Sequence, residues 1–233
     1  MGRLRAGQLR EARLVAMAAR QHGVVTQDQL LSFGFNRIGI ERRLADGRLH
    51  ARHRGIYCVG GPALSQRARW LAAVLAYGED ALLSHRSAAA LWGLARARGE
   101  LVDVSAPTGR QGIHRREGIW IHRGRLHGED RAIRAAIPVT SVARTLFDLA
   151  EFITFARLRS AWEEADRLNL LELQSMERVY ERGYGRRALK PIRRLLAEAT
   201  LVEITRSPLE DEFAAFCRSH GLPTPSFNTT VLG

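Results

Sequence analysis

Asn36, Arg37, Glu41, Arg42 and Arg43 stand within eight residues of chain, and Arg48, His50, Arg52, His53 and Arg54 follow at once. Guanidinium groups at that density suit forked N–H donation to phosphate oxygens and to the O6 and N7 atoms of guanine. A helix carrying Arg37, Arg42 and Arg43 outward would enter the major groove and set one or two of them on base edges. A basic hairpin beside it would bring His50, Arg52, His53 and Arg54 to the backbone or the minor groove. Charge runs on helices are most often solvated faces, and the hairpin behind this one turns the reading toward DNA.

Other residues invite catalytic chemistry but give less. His85 follows Ser84 and, with Asp103 or Asp148, has the residue types of a nucleophile, a base and an orienting acid. A nucleophile needs its base in hydrogen-bond reach and an oxyanion site, so a structural polar network is the expectation here. His114, His122 and His127 form a loose cluster with arginines between them; without cysteine or a helical i, i+4 pair they make a weak metal motif. Arg159, Glu163, Glu164, Asp166 and Arg167 permit ion pairs along a helix. Arg144 and Asp148, four apart among apolar neighbours, are expected to form a buried structural pair. No metal and no cofactor is called for.

The elements that must position the basic residues show as caps and stops. Thr26 is expected to cap a helix over 27–31 that Gly34 closes, and Asn36 a second from Arg37 to Ala45 that Gly47 stops. On the second helix Ile40 and Leu44 face the core, leaving Arg37, Glu41, Arg42 and Arg43 exposed. Strands over 48–52 and 56–59 flank His53-Arg54-Gly55, whose glycine takes positive φ, while Tyr57 and Val59 belong to the core. Leu14, Val15, Ala18 and Ala19 fit a preceding helix. This order is that of a winged helix-turn-helix spanning 8–61.

Gly60-Gly61-Pro62 breaks the pattern, and a second domain, 62–200, is expected to be mixed α+β. Ser65 opens a helix with an apolar stripe through Trp70, Leu71, Val74 and Leu75, and Ser84 caps another that Gly93 ends. Strands are expected over 101–105, 119–122 and 137–139, the last at an edge because of Pro138. Helices follow from Thr140 or Ser141 and over 155–168, 172–182 and 187–199. From Ser207-Pro208-Leu209-Glu210 a helix with Leu209, Phe213, Phe216 and Cys217 runs to Gly221, then a strand over 228–232. That strand implies a lost continuation or pairing with an earlier sheet. The fold class is thus α+β: winged helix, mixed α+β domain and a helix-strand extension over 205–233.

Composition narrows the partner. The net charge is +12 and 45% of residues are apolar, so a real core and an anionic partner are both expected. Residues 1–60 hold eleven arginines against four acidic residues, more than half the excess in about a quarter of the chain. Lys190 is the sole lysine, so arginine abundance follows coding bias in part and its clustering is the better signal. Cys58 and Cys217 have no CxxC spacing and suit a reducing cytoplasm, and no apolar run approaches a membrane span.

Three blocks, GRLHARHRGIYCVGG at 47–61, LLSHRSAAALWGL at 82–94 and IPVTSVARTLFDLA at 137–150, together resemble the AbiEi-type antitoxins of bacterial type IV toxin–antitoxin systems. The resemblance covers about residues 20–150. It implies a winged helix that represses its own promoter through inverted repeats in duplex DNA, where a dimer is one possible state. It also implies a second domain that counters a nucleotidyltransferase toxin without necessarily touching it. From 207 onward the chain resembles the opening of DUF559 nucleases, related to very-short-patch repair endonucleases, with Glu210 matching their leading-helix glutamate. One glutamate cannot assemble a Mg²⁺ site, which needs several converging carboxylates, nor does Lys190 sit in a D/E-x-K motif. The expectation is a cytoplasmic, non-catalytic autorepressor of antitoxin type; the alternative is a winged-helix-targeted nuclease, truncated here.

Overall fold

Capping chemistry fixes the first elements. In the computed structural model, which describes residues 2–61, 63–97, 99–108, 117–205 and 208–223 and side chains within 7–200 and 212–223, α1 (Gly2–Arg20) leads into β1 (Val24–Thr26). Thr26 Oγ1 accepts from Gln29 N, and Gln29 Oε1 accepts from Thr26 N, a reciprocal box that starts α2 (Gln27–Ser32). Asn36 Oδ1 accepts from Gly39 N to start α3 (Arg37–Ala45). Gly34 turns the chain between the two helices at φ +91, where a Cβ would press on the Arg10 side chain. Strands β2 (Leu49–His53) and β3 (Ile56–Val59) complete a three-stranded antiparallel sheet of order β1-β3-β2.

Leu14, Ala18, Val25, Leu30, Phe35, Ile40, Leu49 and Tyr57 form the core of this first unit, with Leu44 and Val59 partly buried against it. Val15, placed by the sequence in the first helix, lies on that helix's exposed side. The other face of the small sheet does not stop at the glycine break. Val24, Ile56 and Cys58 share a core with Ala68, Trp70, Leu71 and Val74 of α4 (Gln66–Leu75). The expected stripe on α4 is therefore a nearly all-round apolar surface, because the helix lies between two sheets. Pro62 lies outside the described residues.

The second sheet has the order β6-β5-β4-β8-β7. Its strands are β4 (Leu82–Leu83), β5 (Val102–Ala106), β6 (Ile119–Arg123), β7 (Arg131–Arg134) and β8 (Ile137–Thr140). The sequence placed Pro138 at an edge; β8 instead lies between β4 and β7. It is tolerated there because two-residue β4 meets β8 at Leu83↔Val139, past the proline. Helices α5 (His85–Trp92), α6 (Val142–Leu149), α7 (Phe155–Arg167), α8 (Leu173–Arg182) and α9 (Leu189–Thr205) build a second core around Phe147, Leu146, Leu158, Met176 and Ile192. The last described element is α10 (Pro208–Ser219); Ser207 and the strand expected over 228–232 lie outside the described residues. Among the described residues the molecule is mixed α+β with two sheets, as its patterning implies.

Candidate nucleic-acid interface and an arginine-lined cleft

At about 100° per residue, α3 turns Ile40, Arg43 and Leu44 inward and Arg37, Ile38, Glu41, Arg42 and Ala45 outward. Arg37 has no protein partner among the described residues, and Arg42 has only a long contact of 3.9 Å to Asp46. Ile38 is 73% exposed, an apolar side chain amid charge that the sequence reading passed over. Its signal was there: two residues before Ile40, it cannot share that residue's buried face. An outward apolar side chain between two arginines suits a thymine methyl in the major groove.

Arg43 does not share the exposed face of Arg37 and Arg42. The sequence placed it with the exposed arginines, but its side chain is 18% exposed and its guanidinium bonds Glu11 on α1 and the Gly39 carbonyl. It also stacks 4.3 Å above the Phe35 ring, which Arg10 approaches from 5.8 Å while donating to Gly34 O. Arg43 clamps α3 to α1 and is not available to an external anion.

The hairpin is tight. Arg54 and Gly55 form a two-residue turn, with Gly55 at φ +74 and its carbonyl accepting from Gln27 N at 2.8 Å. Register shifts between Ala51 and His53, so Arg52 is the bulged residue. Burial raises the pKa of the Cys58 thiol, and the Arg52 guanidinium offsets only part of that rise. Arg52 and Arg54 are exposed and His50 and His53 half-buried, while Arg48 pairs with Asp46 at 3.0 Å. Helix face and hairpin stand on one small sheet.

A second concentration of arginine lies in the mixed domain. Asp130 and Asp148 are buried carboxylates. Arg144 bridges them, with Nη1 2.8 Å from Asp130 Oδ2 and Nε 3.0 Å from Asp148 Oδ1, and so forms the buried pair expected of 144 and 148. Arg182 holds Asp130 Oδ1 at 2.9 Å and Glu129 at 2.8 Å; Arg186 holds Asp148 Oδ1 at 3.0 Å and Glu151 at 2.7 Å. Burial works against the Arg186 charge, but the hydrogen bonds and charges of Glu151 and Asp148 outweigh it and raise its pKa. Asp130, Arg182 and Arg186 were not read from the sequence, since they join α6 from segments up to 52 residues apart.

This network floors a cavity of about 690 Å³ whose wall includes His85, His122, Phe147 and Phe152. Ser84 sits at the N-cap of α5 as expected, yet its hydroxyl makes no capping bond; it meets His85 Nδ1 at 3.0 Å. His85 takes φ +49 and stacks on His122 at 3.5 Å between ring centroids. His122 Nε2 in turn bonds Asp103 Oδ1 at 2.9 Å. Burial, then the neighbouring His122, Arg186 and Arg144, lower the His85 pKa to about 3 against a raising pull from Asp103, so its imidazole is neutral.

Asp103 thus lies behind His122 and not behind His85, so the spacing-based Ser-His-Asp order is not the one assembled. His127 lines the same cavity and caps the 3₁₀ turn Gly128–Asp130, while His114 lies outside the described residues. Among the described residues no three His, Cys, Asp or Glu side chains converge as metal ligands do. The Glu210 side chain is outside those described. Along α7 and its neighbours, Arg167 pairs with Glu164 and Arg159 with Glu198, ordinary surface ion pairs. Among the described residues no helix is long and apolar enough to cross a membrane.

No family model and no curated protein matches the chain. Among solved structures it is similar to the crystal structure of RV2827C protein from Mycobacterium tuberculosis. That likeness is 19% in sequence and covers 81% of this chain and 76% of that one, at a TM-score of 0.49. It is too slight to carry a function across.

Proposed function

We propose that the chain is a DNA-binding transcriptional regulator, in which α3 reads the major groove of duplex DNA and the β2–β3 hairpin holds the flanking backbone. The observation that carries this reading is the outward face of α3. Arg37, Ile38 and Arg42 project from a helix clamped behind by Arg43, Glu11 and Phe35. Guanidinium groups left without a close carboxylate are the form in which arginine binds nucleic acid.

More particularly, we propose a non-catalytic autorepressor of antitoxin type, binding inverted repeats in its own promoter as a dimer and opposing a nucleotidyltransferase toxin through its α+β domain. The three sequence blocks that resemble AbiEi-type antitoxins support this narrower reading. DNA binding is tested by titrating promoter fragments with the full chain. Arg37→Ala or Arg42→Ala should relax sequence preference, and Arg54→Ala should weaken binding to all sequences alike. Equal affinity of wild type for promoter and scrambled duplex would overturn sequence reading. The antitoxin role is tested by co-expressing the chain with the adjacent toxin; no rescue of growth would remove it. Supercoiled plasmid with Mg²⁺ should stay supercoiled, and nicking lost in Glu210→Ala would instead favour a nuclease.

A further inference from the structure

A cleft lies beside α6, lined by Arg144 and Asp148 of that helix and by Arg186. Arg144 and Arg186 each hydrogen-bond Asp148 Oδ1 at 3.0 Å, so their guanidinium groups are neighbours held on one oxygen. Arg144 uses Nε and Nη1 on protein acceptors, and Arg186 uses Nε and Nη2. Arg144 Nη2 and Arg186 Nη1 have no partner among the described residues, and neither is a sealed, unsatisfied atom. They therefore open to solvent beside the cavity that both residues line. Two N–H donors are thus left over on side chains only 12% and 31% exposed, whose other nitrogens are already fixed to protein acceptors.

The rest of the wall is of another character. His85 is 5% exposed, with Nδ1 on the Ser84 hydroxyl and Nε2 without a protein partner among the described residues. Its ring lies flat on His122 and meets Phe152 edge-on at 5.1 Å. A non-glycine residue held at φ +49, its neighbour's hydroxyl diverted from helix capping, is strain of the kind kept where a side chain must be aimed. Five arginines and three carboxylates line the cavity, leaving an excess of two positive charges. Its volume suits a small organic molecule.

We propose that this cleft binds a small organic oxyanion, a carboxylate or phosphate carried on a planar ring, with the oxyanion on Arg144 and Arg186 and the ring against His85 and Phe152. The site is separate from the α3 face, so its failure leaves the DNA reading untouched.

Calorimetric titration of the full chain with benzoate, phenyl phosphate and AMP, and with inorganic phosphate as the ring-free control, tests it. At least one ring-bearing anion should bind with a micromolar Kd and at least tenfold more tightly than inorganic phosphate. Phe152→Ala, at a half-exposed position, and His85→Asn, a residue that tolerates positive φ, should each weaken binding about tenfold without lowering the melting temperature. No binding of any ring-bearing probe at about 1 mM would overturn the proposal. So would equal affinity for inorganic phosphate, or binding indifferent to both substitutions.

Discussion

The Arg42 side chain is 77% exposed and its carboxylate neighbour Asp46 stands 3.9 Å away, whereas Arg144 is 12% exposed and holds two buried carboxylates at 2.8 and 3.0 Å. Both are arginines on short helices, four residues before an aspartate. The difference is what surrounds the aspartate. Asp46 lies past the end of α3 in solvent, so the pair gains little and the guanidinium stays open to another anion. Asp148 lies wholly inside, where an ion that loses water must be matched by charge and hydrogen bonds at close range. Arg43 shows that the division follows burial and not the element, since it shares α3 with Arg42 yet behaves like Arg144.

The comparison breaks first at the buried network. Asp148→Ala leaves Arg144 and Arg186 without their shared acceptor and should cost about 3–5 kcal/mol of stability. For a chain of this length that lowers the melting temperature by about 10 °C in a thermal scan. A change under about 1 °C would mean that the network is dispensable.

Arg42→Ala and Arg43→Ala sharpen the contrast within one helix. The first should lower affinity for promoter DNA by about 1–3 kcal/mol and leave stability within about 0.5 kcal/mol. The second should lower stability by about 1–2 kcal/mol, through the lost Glu11 pair and Phe35 stacking, and retain sequence preference in the folded protein. Reversed phenotypes would show that Arg43 and not Arg42 meets the bases.

A smaller effect follows from His85. Its pKa is lowered to about 3 in the fold from 6.5, so between those values the unfolded chain binds the extra proton. Stability from this group is complete above pH 6.5 and falls on acidification, by about 1.4 kcal/mol per unit, until pH nears 3. Denaturant titrations at pH 6.5 and 5.5 should register this loss for wild type, and His85→Asn should remove it from the difference. An unchanged pH slope in the variant would contradict the buried neutral imidazole.

What the sequence conveyed divides along the same line. Local signals were enough for α2 and α3, because Thr26 and Asn36 bond to backbone three residues away. They were enough for Arg144 and Asp148, one helical turn apart. Arg43 was misplaced because Glu11, 32 residues earlier, decides its orientation. The cleft was invisible for the same reason: His85 meets His122, and Arg182 meets Asp130, only through tertiary folding. Strand β4 escaped notice because two leucines carry no period, and Pro138 misled because the strand beside it is that short. The glycine break near 62 marks a turn in the chain but not an end to the core, since α4 covers the back of the small sheet. The two regions also touch directly: the His22 imidazole lies 2.7 Å from Ala135 O, in the turn joining β7 to β8. Experiments on the first sixty residues therefore belong on the full chain.

The central claim is that the open arginines of the first sixty residues neutralise phosphates. Its most direct test is the salt dependence of full-chain binding to its own promoter. With about 5–7 phosphate contacts, each releasing ~0.9 counterion, log Kobs against log salt should fall with a slope of about −4 to −6. A slope near zero would contradict the account.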